Sequence, residues 1–454
     1  MQDPEPLLLP FSRTKYEGMN PMAKNKKPQL RWLRLDNAAK IYPAARRKNW
    51  SNVFRQSVTL NEEVDKEVLK SALEVTIKRF PSIASRLRKG LFWYYLEELE
   101  AAPDINEEYS YPLVHMRHEE MRKCALRVIV YHNRIAVEFF HSLTDGTGAL
   151  IFLKNLIAEY LEQKHNIKIP YEDGIVDRHM SPTEEELEDS FLKNAGSVPL
   201  TRKDSNAWHM TGDRYKDGFL ALTCFQLPVK DLLDMAHHYN ATLTVFISAI
   251  LMKSLMNYQN EINPNRRRQK RIKLLIPINL RQLFPSKSLR NFAMYTVPEI
   301  DPRLGDYTIE EICKVVQCKM GAEFTAKHMS CVIATNVNDE KNPFLRLVPL
   351  PIKNAVMKAV FDSVGEKKSC LTLSNIGKIK VPAVMETYIE RFDFILGVQA
   401  DAPYNCGMLS FKDTVYINFI RNTIDSELER HFFTVLQELG IPVSVESNIN
   451  ERWR

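Results

Sequence analysis

The sequence contains no CxxC pair, no long apolar run and no large excess of charge of either sign. Its seven cysteines are an odd number. Cys313 and Cys318 share a predicted helix, but no second cysteine pair or histidine couplet completes a zinc site. The simplest interpretation is a protein with reduced cysteines and no bound metal, which is typical of the cytoplasm, and a cytoplasmic location is therefore expected.

The apolar runs are too short for a secretion signal or a membrane anchor. Leu7-Leu8-Leu9 is the only apolar run near the N-terminus, and it is shorter than a signal-peptide core. The densest apolar helix, from Leu243 to Met256, is interrupted by polar residues and falls short of the ~20 apolar residues that a spanning helix needs. No transmembrane segment is expected.

Charge and composition exclude few classes of partner. The net charge is +6 over 454 residues, which is too mild to indicate a nucleic-acid partner. Hydrophobic residues make up 44% and charged residues 26%, the usual balance of a globular protein with a buried core. The small positive excess is compatible with an anionic small molecule but does not identify one.

The length predicts two domains, because a single hydrophobic core usually stops growing at about 250–300 residues. We expect a flexible N-terminal arm over 1–30 and an N-terminal domain over 31–170. Residues 171–217 have an acidic run and little periodicity, which indicates a connector. A C-terminal domain then covers 218–454.

Helical and strand patterns alternate along both regions, which indicates an α/β or α+β architecture. In the first region, Val53–Leu60 predicts a strand, and two short apolar runs, Leu126–Tyr131 and Ile135–Phe140, predict a hairpin. The second region predicts helices at about 229–239, 243–258, 308–330, 345–363 and 425–439, and strands at about 220–227, 272–278, 370–374, 393–399 and 414–420.

One segment carries the chemistry of acid–base catalysis: His141-Ser142-Leu143-Thr144-Asp145-Gly146. An imidazole has a pKa near ~6.5 and is the side chain best suited to take a proton from a hydroxyl at neutral pH. An Asp four residues later would hold the loop through a charge pair with an Arg. The alternative is a core histidine that is bonded to a backbone carbonyl, with Asp145 only capping the next helix.

The spacing of this motif is a weak signal by itself. It occurs a second time, at His209 and Asp213, in the polar connector. The first copy differs in its context, because an apolar strand ends directly at His141 and an amphipathic helix follows Gly146. We therefore interpret His209 as coincidence.

The segment resembles the HxxxDG signature of the coenzyme A-dependent acyltransferase superfamily, which includes chloramphenicol acetyltransferase, alcohol acetyltransferases, plant BAHD acyltransferases and condensation domains of nonribosomal peptide synthetases. Two further stretches resemble the same superfamily. They are Ile276-Pro277-Ile278-Asn279-Leu280-Arg281, followed by Asn291-Phe292, and Leu373-Ser374-Asn375-Ile376-Gly377. The resemblance extends in order over roughly residues 30–440.

The resemblance implies two chloramphenicol acetyltransferase-like domains in a pseudo-twofold arrangement, with the site in a tunnel at their interface. It makes His141 the general base and gives Asp145 a structural role as the partner of Arg281. A tetrahedral intermediate also needs a hydrogen-bond donor for its oxyanion. Ser374 is the candidate donor, with Thr372 in reserve; a plain turn residue is the equal alternative for Ser374.

Two differences from the motifs of the superfamily narrow the choice among its branches. Phe140 precedes the base where condensation domains have a second histidine, and no DFGWG motif of the plant enzymes occurs. The remaining resemblance is to alcohol acetyltransferases. We expect transfer of an acyl group from acyl-coenzyme A, a co-substrate that is not tightly bound, to a small alcohol or amine.

Several alternatives stay open at this stage. An acyl carrier protein is the alternative donor. The basic turn over 266–271 is either a solvated loop or a contact site for the phosphates of coenzyme A or for an acidic carrier protein. The alternative function is a catalytically silent domain that binds a carrier or partner protein. The sequence contains no pattern that identifies the acceptor, the acyl chain length or the oligomeric state.

Overall fold

The computed structural model describes residues 30–45, 52–200, 205–341, 346–361, 366–399 and 402–449. The chain from Arg31 onwards forms one compact unit. The predicted N-terminal arm lies outside the described residues, apart from Leu30.

Sixteen strands and thirteen α-helices are defined in the described part of the chain. The strands are β1 (Trp32–Arg34), β2 (Val53–Leu60), β3 (Ser85–Lys89), β4 (Tyr94–Glu98), β5 (Ile105–Glu107), β6 (Leu126–Tyr131), β7 (Arg134–Phe140), β8 (Ala221–Pro228), β9 (Ile272–Asn279), β10 (Ala293–Thr296), β11 (Glu299–Ile300), β12 (Leu371–Lys378), β13 (Ile389–Ile395), β14 (Tyr404–Phe411), β15 (Thr414–Arg421) and β16 (Ser444–Ser447). The helices are α1 (Ile41–Ala45), α2 (Lys66–Arg79), α3 (His118–Lys123), α4 (Gly146–His165), α5 (Glu184–Leu187), α6 (Ser190–Asn194), α7 (Val229–His238), α8 (Leu243–Ile262), α9 (Ile309–Glu323), α10 (Ala326–Lys341), α11 (Leu350–Val360), α12 (Ala383–Glu386) and α13 (Glu427–Glu438).

The first large sheet has the strand order β13-β2-β7-β6-β5. The hairpin β6–β7 is the one that the sequence predicts, with Leu126 opposite Phe139 and Tyr131 opposite Arg134. At its edge, β13 pairs antiparallel with β2, so a strand from residues 389–395 completes a sheet whose other strands all precede residue 141. This strand lies in the range that the sequence assigned to the C-terminal domain.

The second large sheet has the order β10-β9-β12-β14-β15-β8-β16, and β11 also pairs with β9. Strand β12 is parallel to both of its neighbours, β9 and β14, and the other ladders are antiparallel. A third, three-stranded sheet has the order β1-β4-β3. The mixture of helices and sheets confirms the predicted α/β class.

Each large sheet is covered by helices that bury an apolar face. Side chains such as Leu73 of α2 and Leu156 of α4 join the core of the first sheet. Helices α8 and α13 pack on the second sheet, where Leu251 and Phe432 are fully buried. Burying one such side chain stabilises the folded state by roughly 1.5–3 kcal/mol, because its apolar surface is removed from water.

Local signals in the sequence explain where the helices begin and end. Asp65 accepts hydrogen bonds from the main-chain N–H groups of Glu67 and Val68 and so caps α2. Asp145 caps α4 in the same way. Helix α4 ends at His165, and the next residue, Asn166, has a φ of 51°, in the left-handed region that asparagine tolerates.

Several boundaries differ from the sequence prediction. The helix predicted over 308–330 is two helices, α9 and α10, separated at residues 324–325. The strand predicted at 393–399 lies at 389–395, and strand β14 was not predicted. Every residue of β14 is buried, so the alternation typical of a half-exposed strand is missing from its sequence.

The connector is largely irregular, with the short helices α5 and α6, but it is not simply a solvated chain. In the acidic run, Glu186 forms a bidentate pair with Arg79, with N–O distances of 3.0 and 2.7 Å. Its main-chain oxygen also accepts from the N–H of Leu289. The connector therefore ties α2 to the loop that follows β9.

Candidate active site

His141 lies where strand β7 ends, at the boundary between the two large sheets. Its main-chain N–H donates to the carbonyl of Asn52, and the N–H of Leu143 donates back to Phe140, which turns the chain sharply away from the strand. The residue is half-buried. The turn projects the imidazole out of the first sheet toward the segment after β9.

Two aromatic rings fix the plane of the imidazole. Tyr42 of α1 stacks on it with ring centroids 4.4 Å apart and an interplanar angle of 15°. Phe54 of β2 meets it nearly edge-on, at 5.0 Å and 61°. Such contacts leave the ring little freedom to rotate.

The side chain of Asn291 determines which nitrogen of the His141 ring carries the proton. Its Nδ2 donates to the carbonyl oxygen of His141 at 3.0 Å and to Asp36 Oδ2 at 3.2 Å. Since a carbonyl oxygen only accepts, the amide nitrogen must face it, and Asn291 Oδ1 then faces His141 Nδ1 at 3.1 Å. Nδ1 therefore carries the proton, and Nε2 keeps a free lone pair. Within the described residues, Nε2 has no hydrogen-bond partner.

Burial lowers the pKa of His141 below its ordinary value of 6.5, and the charge of Asp145 and the hydrogen bond with Asn291 oppose this effect. Burial also raises the pKa of Tyr42, so the stacked phenol stays neutral. The imidazole is consequently uncharged at neutral pH, which is the state that a general base requires.

Asp145 has all of its acceptor positions in use. Oδ1 accepts from the N–H groups of Thr147 and Gly148, and Oδ2 accepts from the N–H of Phe292 at 2.8 Å. Oδ2 also lies 2.7 Å from Arg281 Nη1, with which it forms an ion pair. A carboxylate held in this way supports the loop and has no free position from which to exchange a proton.

Arg281 organises the loop over residues 280–292, which reaches across to the motif. Its Nε donates to the carbonyl of Ser288 and its Nη2 to the carbonyl of Arg290. With Asp145 as its third partner, the guanidinium fixes the loop to the start of α4. The same loop carries Asn291, so Arg281 supports the residue that orients His141.

The motif and this loop touch at the main chain. Thr144 Oγ1 donates to the carbonyl of Leu289 at 2.6 Å. A Cβ at Gly148 would lie 2.3 Å from that same carbonyl oxygen, so only glycine permits the approach. At Gly146, the glycine of the motif itself, a Cβ would meet only ordinary contacts at 3.6 Å or more.

The proposed oxyanion donors lie on β12, beside the start of α4. Thr372 and Ser374 lie two residues apart on the strand and share one face. The side chain of Ile376 lies 3.7 Å from the position that a Cβ on Gly146 would occupy. Ser374 is half-buried. No contact joins Ser374 or Thr372 to His141 within the described residues, so the oxyanion role stays a proposal.

Two other sequence features stay apart from this site. The second HxxxD copy lies in the connector, and no contact joins His209 to His141 among the described residues. In the basic turn, Arg266 pairs with Asp306, and Arg271 pairs with Glu299. These arginines are therefore already partnered by acids.

A cavity of about 640 Å³ lies next to the segment that carries Tyr42. Leu35 and Lys40 line it from that segment, and Trp93 and Tyr95 line it from the three-stranded sheet. His141 is not one of its lining residues. The interface tunnel that the resemblance implies stays a prediction.

One cluster has the composition of a metal site, formed by Glu261, Glu427 and His431, whose ligand atoms lie within 4.8 Å of one another. Arg430 pairs with both of its carboxylates. A guanidinium therefore already supplies the positive charge, and the cluster does not call for a metal ion.

Sequence reasoning missed three residues of the site: Asp36, Tyr42 and Asn291. Asn291 lies in a stretch that resembles the superfamily, but nothing in its sequence context assigns it a contact with His141. Asp36 and Tyr42 lie over 90 residues before the motif in a short, weakly patterned segment. Only the folded chain brings these residues to the imidazole.

No single helix among the described residues is long and apolar enough to cross a membrane. Helices α7 and α8 meet the length and composition criteria only when taken together, and they are bent by 83° at their junction.

The architecture is similar to that of solved acetyltransferases and condensation domains. TRI101 of F. graminearum, in complex with coenzyme A and deoxynivalenol, matches with a TM-score of 0.60 and 10% identity, over 91% of this chain and 99% of that one. The trichothecene 15-O-acetyltransferase TRI3 from Fusarium sporotrichioides matches with a TM-score of 0.58 and 10% identity, over 90% of this chain and 94% of that one. The first condensation domain of the CDA synthetase matches with a TM-score of 0.56 and 10% identity, over 91% of this chain and 99% of that one.

No family model and no curated protein sequence matches the chain. The likeness is one of structure, and at 10% identity it establishes the fold. The chain therefore has the fold that these solved acetyltransferases and condensation domains share.

Proposed function

We propose that this protein is an acyltransferase that moves an acyl group from a thioester to an alcohol or amine, with His141 as the general base. The observation that carries this proposal is the fixed tautomer of His141. Asn291 holds the Nδ1 proton and leaves Nε2 with a free lone pair. A ring that served only the core would use its acceptor nitrogen in a hydrogen bond.

In the proposed reaction, the acceptor hydroxyl donates its hydrogen bond to Nε2 and attacks the thioester carbonyl. The proton passes to Nε2 as the new C–O bond forms. The tetrahedral intermediate then collapses, the C–S bond breaks, and the imidazolium returns the proton to the departing thiolate. The charge of Asp145 favours the transient imidazolium without sharing its proton.

Ser374 is the proposed donor to the oxyanion of the intermediate, with Thr372 as the alternative. Support comes from the position of β12, since Ile376 of this strand lies 3.7 Å from where a Cβ on Gly146 would be, five residues after His141. A correctly placed donor contributes roughly 2.7–4 kcal/mol to transition-state stabilisation.

Acyl-coenzyme A is the proposed donor. Support comes from one fold neighbour, TRI101 of F. graminearum, which was solved with coenzyme A and also with ethyl coenzyme A. One neighbour is a 15-O-acetyltransferase, which makes a hydroxyl the first acceptor to test. An acyl carrier protein is the alternative donor, and condensation domains occur among the neighbours.

The test is thiol release from a panel of acyl-coenzyme A donors with a panel of alcohols. Replacement of His141 by Ala is expected to lower the rate by about 10²–10⁴-fold, because the proton then passes to water. His209→Ala, in the second copy of the motif, is the matched control and is expected to keep the wild-type rate.

Wild-type activity in His141→Ala would exclude this mechanism. If neither the wild type nor the variant releases thiol with any donor, while a carrier protein still binds, the catalytically silent alternative is supported instead. Thermal melting of each variant separates loss of chemistry from loss of fold.

A further inference from the structure

Helix α11 turns its apolar face to solvent. Ile352 is 56% exposed and Val356 is 59% exposed. From Pro351 to Ala359, every residue that is classed as exposed is apolar: Pro351, Ile352, Ala355, Val356 and Ala359. The spacing from Ile352 onwards is the i, i+3, i+4, i+7 pattern that normally faces a core. In a helix that packs on the core of its own protein, such a face would be covered by other residues.

Two polar residues of the same helix, Lys353 and Asn354, point inward and hold it in place. Lys353 is only 6% exposed, and its Nζ lies 3.9 Å from the centroid of the Trp93 ring. It donates to the main-chain oxygens of Phe92 and Arg346 at 3.2 and 3.1 Å. Asn354 donates to the hydroxyl of Tyr94 at 3.0 Å. The outward apolar face is therefore enforced by specific inward contacts.

Two neighbouring leucines extend this surface. Leu91 is 72% exposed and Leu347 is 71% exposed. The N–H of Leu350, the first residue of α11, donates to the carbonyl of Leu91 at 3.0 Å, which joins the two segments. We call the four residues Leu91, Leu347, Ile352 and Val356 the apolar patch. Monomeric proteins rarely leave large apolar side chains clustered in this way without a partner.

Most charged residues near the patch are basic, and the acid beside them, Glu340, is already paired with Lys40. The sequence from Lys341 to Phe361 contains four basic residues, Lys341, Arg346, Lys353 and Lys358, and no Asp or Glu. Lys341 and Arg346 are exposed. An apolar helix face with exposed basic neighbours is complementary to an anionic lipid surface, where the apolar side chains enter the acyl boundary and the cations meet the head groups.

We propose that the apolar patch docks this protein on an anionic lipid surface, with α11 lying in the plane of the interface. On its other side, α11 packs against α1, the helix that carries Tyr42. The docked surface is thus separated from the imidazole of His141 by a single short helix. The proposal does not depend on the acyltransferase reaction, because it rests on α11 and its neighbours alone.

The test is co-sedimentation of the full chain with vesicles of phosphatidylcholine alone and of an equimolar mixture of phosphatidylcholine and phosphatidylserine. We expect binding to the anionic vesicles that weakens as salt is added. The double variant Ile352→Ser/Val356→Ser is expected to bind at least about tenfold more weakly, since two apolar side chains no longer enter the interface.

The matched control is Leu304→Ser, because Leu304 is 80% exposed on a different part of the chain. This variant is expected to bind vesicles as the wild type does. Absence of wild-type binding to anionic vesicles, or equal binding by the double variant, would overturn the proposal. A wild-type dimer that the double variant converts to a monomer would also overturn it, because the patch would then be an interface between copies of this chain.

Discussion

At the scale of single residues, the chemistry of His141 depends on a side chain that lies 150 positions later in the chain. Asn291 is held between Asp36 and the main-chain oxygen of His141, so its amide has one orientation. The neutral imidazole then has one tautomer. Burial of the carboxyl raises the pKa of Asp36, although the charge of Arg290 opposes this.

Replacement of Asn291 by Ala tests this positioning role. The hydrogen bond from His141 to Asn291 raises the pKa of the imidazole, so its removal lowers that pKa further below 6.5. We expect the acidic limb of the kcat/KM profile to move to lower pH and the plateau to fall about tenfold, with KM little changed. The measurement is the pH–rate profile of thiol release.

A purely structural role for Asn291 predicts a different result. The fraction of active enzyme would fall, but the pH at which activity is half-lost would stay where it is in the wild type. An unshifted acidic limb in Asn291→Ala would therefore contradict the assignment of the tautomer to this residue.

At the scale of elements, the start of α4 and the loop over 280–292 behave as one unit. The ion pair of Asp145 with Arg281, the hydrogen bond from the Phe292 N–H to Asp145 and the hydrogen bond from Thr144 to Leu289 all cross between them. The closest approach is at Gly148, where the carbonyl of Leu289 occupies the space that a Cβ would need. The motif contains Gly146, but the structure places the requirement for glycine at Gly148.

Two alanine substitutions separate these glycines. Gly148→Ala is expected to destabilise the protein by about 1–3 kcal/mol, because the main chain must move away from the new methyl group. Gly146→Ala is expected to be nearly neutral, since its Cβ would make only ordinary contacts. The measurement is the thermal midpoint, together with the rate of thiol release.

The loop displaced by Gly148→Ala also carries Asn291, so activity should fall with stability in that variant. Equal melting of the two variants would show that the contact between Gly148 and Leu289 is not a tight one.

At the scale of the whole molecule, the two sheets are joined by a strand that crosses from one half of the sequence to the other. Strand β13 completes the first sheet by pairing with β2. It also passes close to β14 of the second sheet, where a Cβ on Gly407 would lie 2.2 Å from the carbonyl oxygen of Phe394. The proposed domain boundary in the connector therefore does not separate two independent sheets.

A chain that stops at residue 217 tests this point. It lacks β13, so β2 becomes an open edge whose side chains are almost all buried in the intact protein. We expect this fragment to aggregate or to melt without a cooperative transition, and co-expression with residues 218–454 to restore a soluble complex. The measurements are solubility and a thermal melt followed by circular dichroism. A sharp transition in the fragment alone would show that the first half is an autonomous domain.

The sequence by itself determined the features whose signals are local. The hairpin β6–β7 and the helix α4 with its cap at Asp145 follow from apolar spacing and capping residues within one element. The position of His141 at a strand end was readable for the same reason. The pair of Asp145 with Arg281 could be expected because both residues lie in stretches that resemble one superfamily.

The tertiary structure decided the contacts between segments that are distant in the sequence. Tyr42, Asp36 and Asn291 reach His141 from segments without a local signal, and β13 joins a sheet formed by strands far earlier in the chain. Likewise, the pattern of α11 predicts a helix with one apolar face, but not that this face points to solvent. Periodicity records which residues share a face, whereas the surface that the face meets depends on how the whole chain packs.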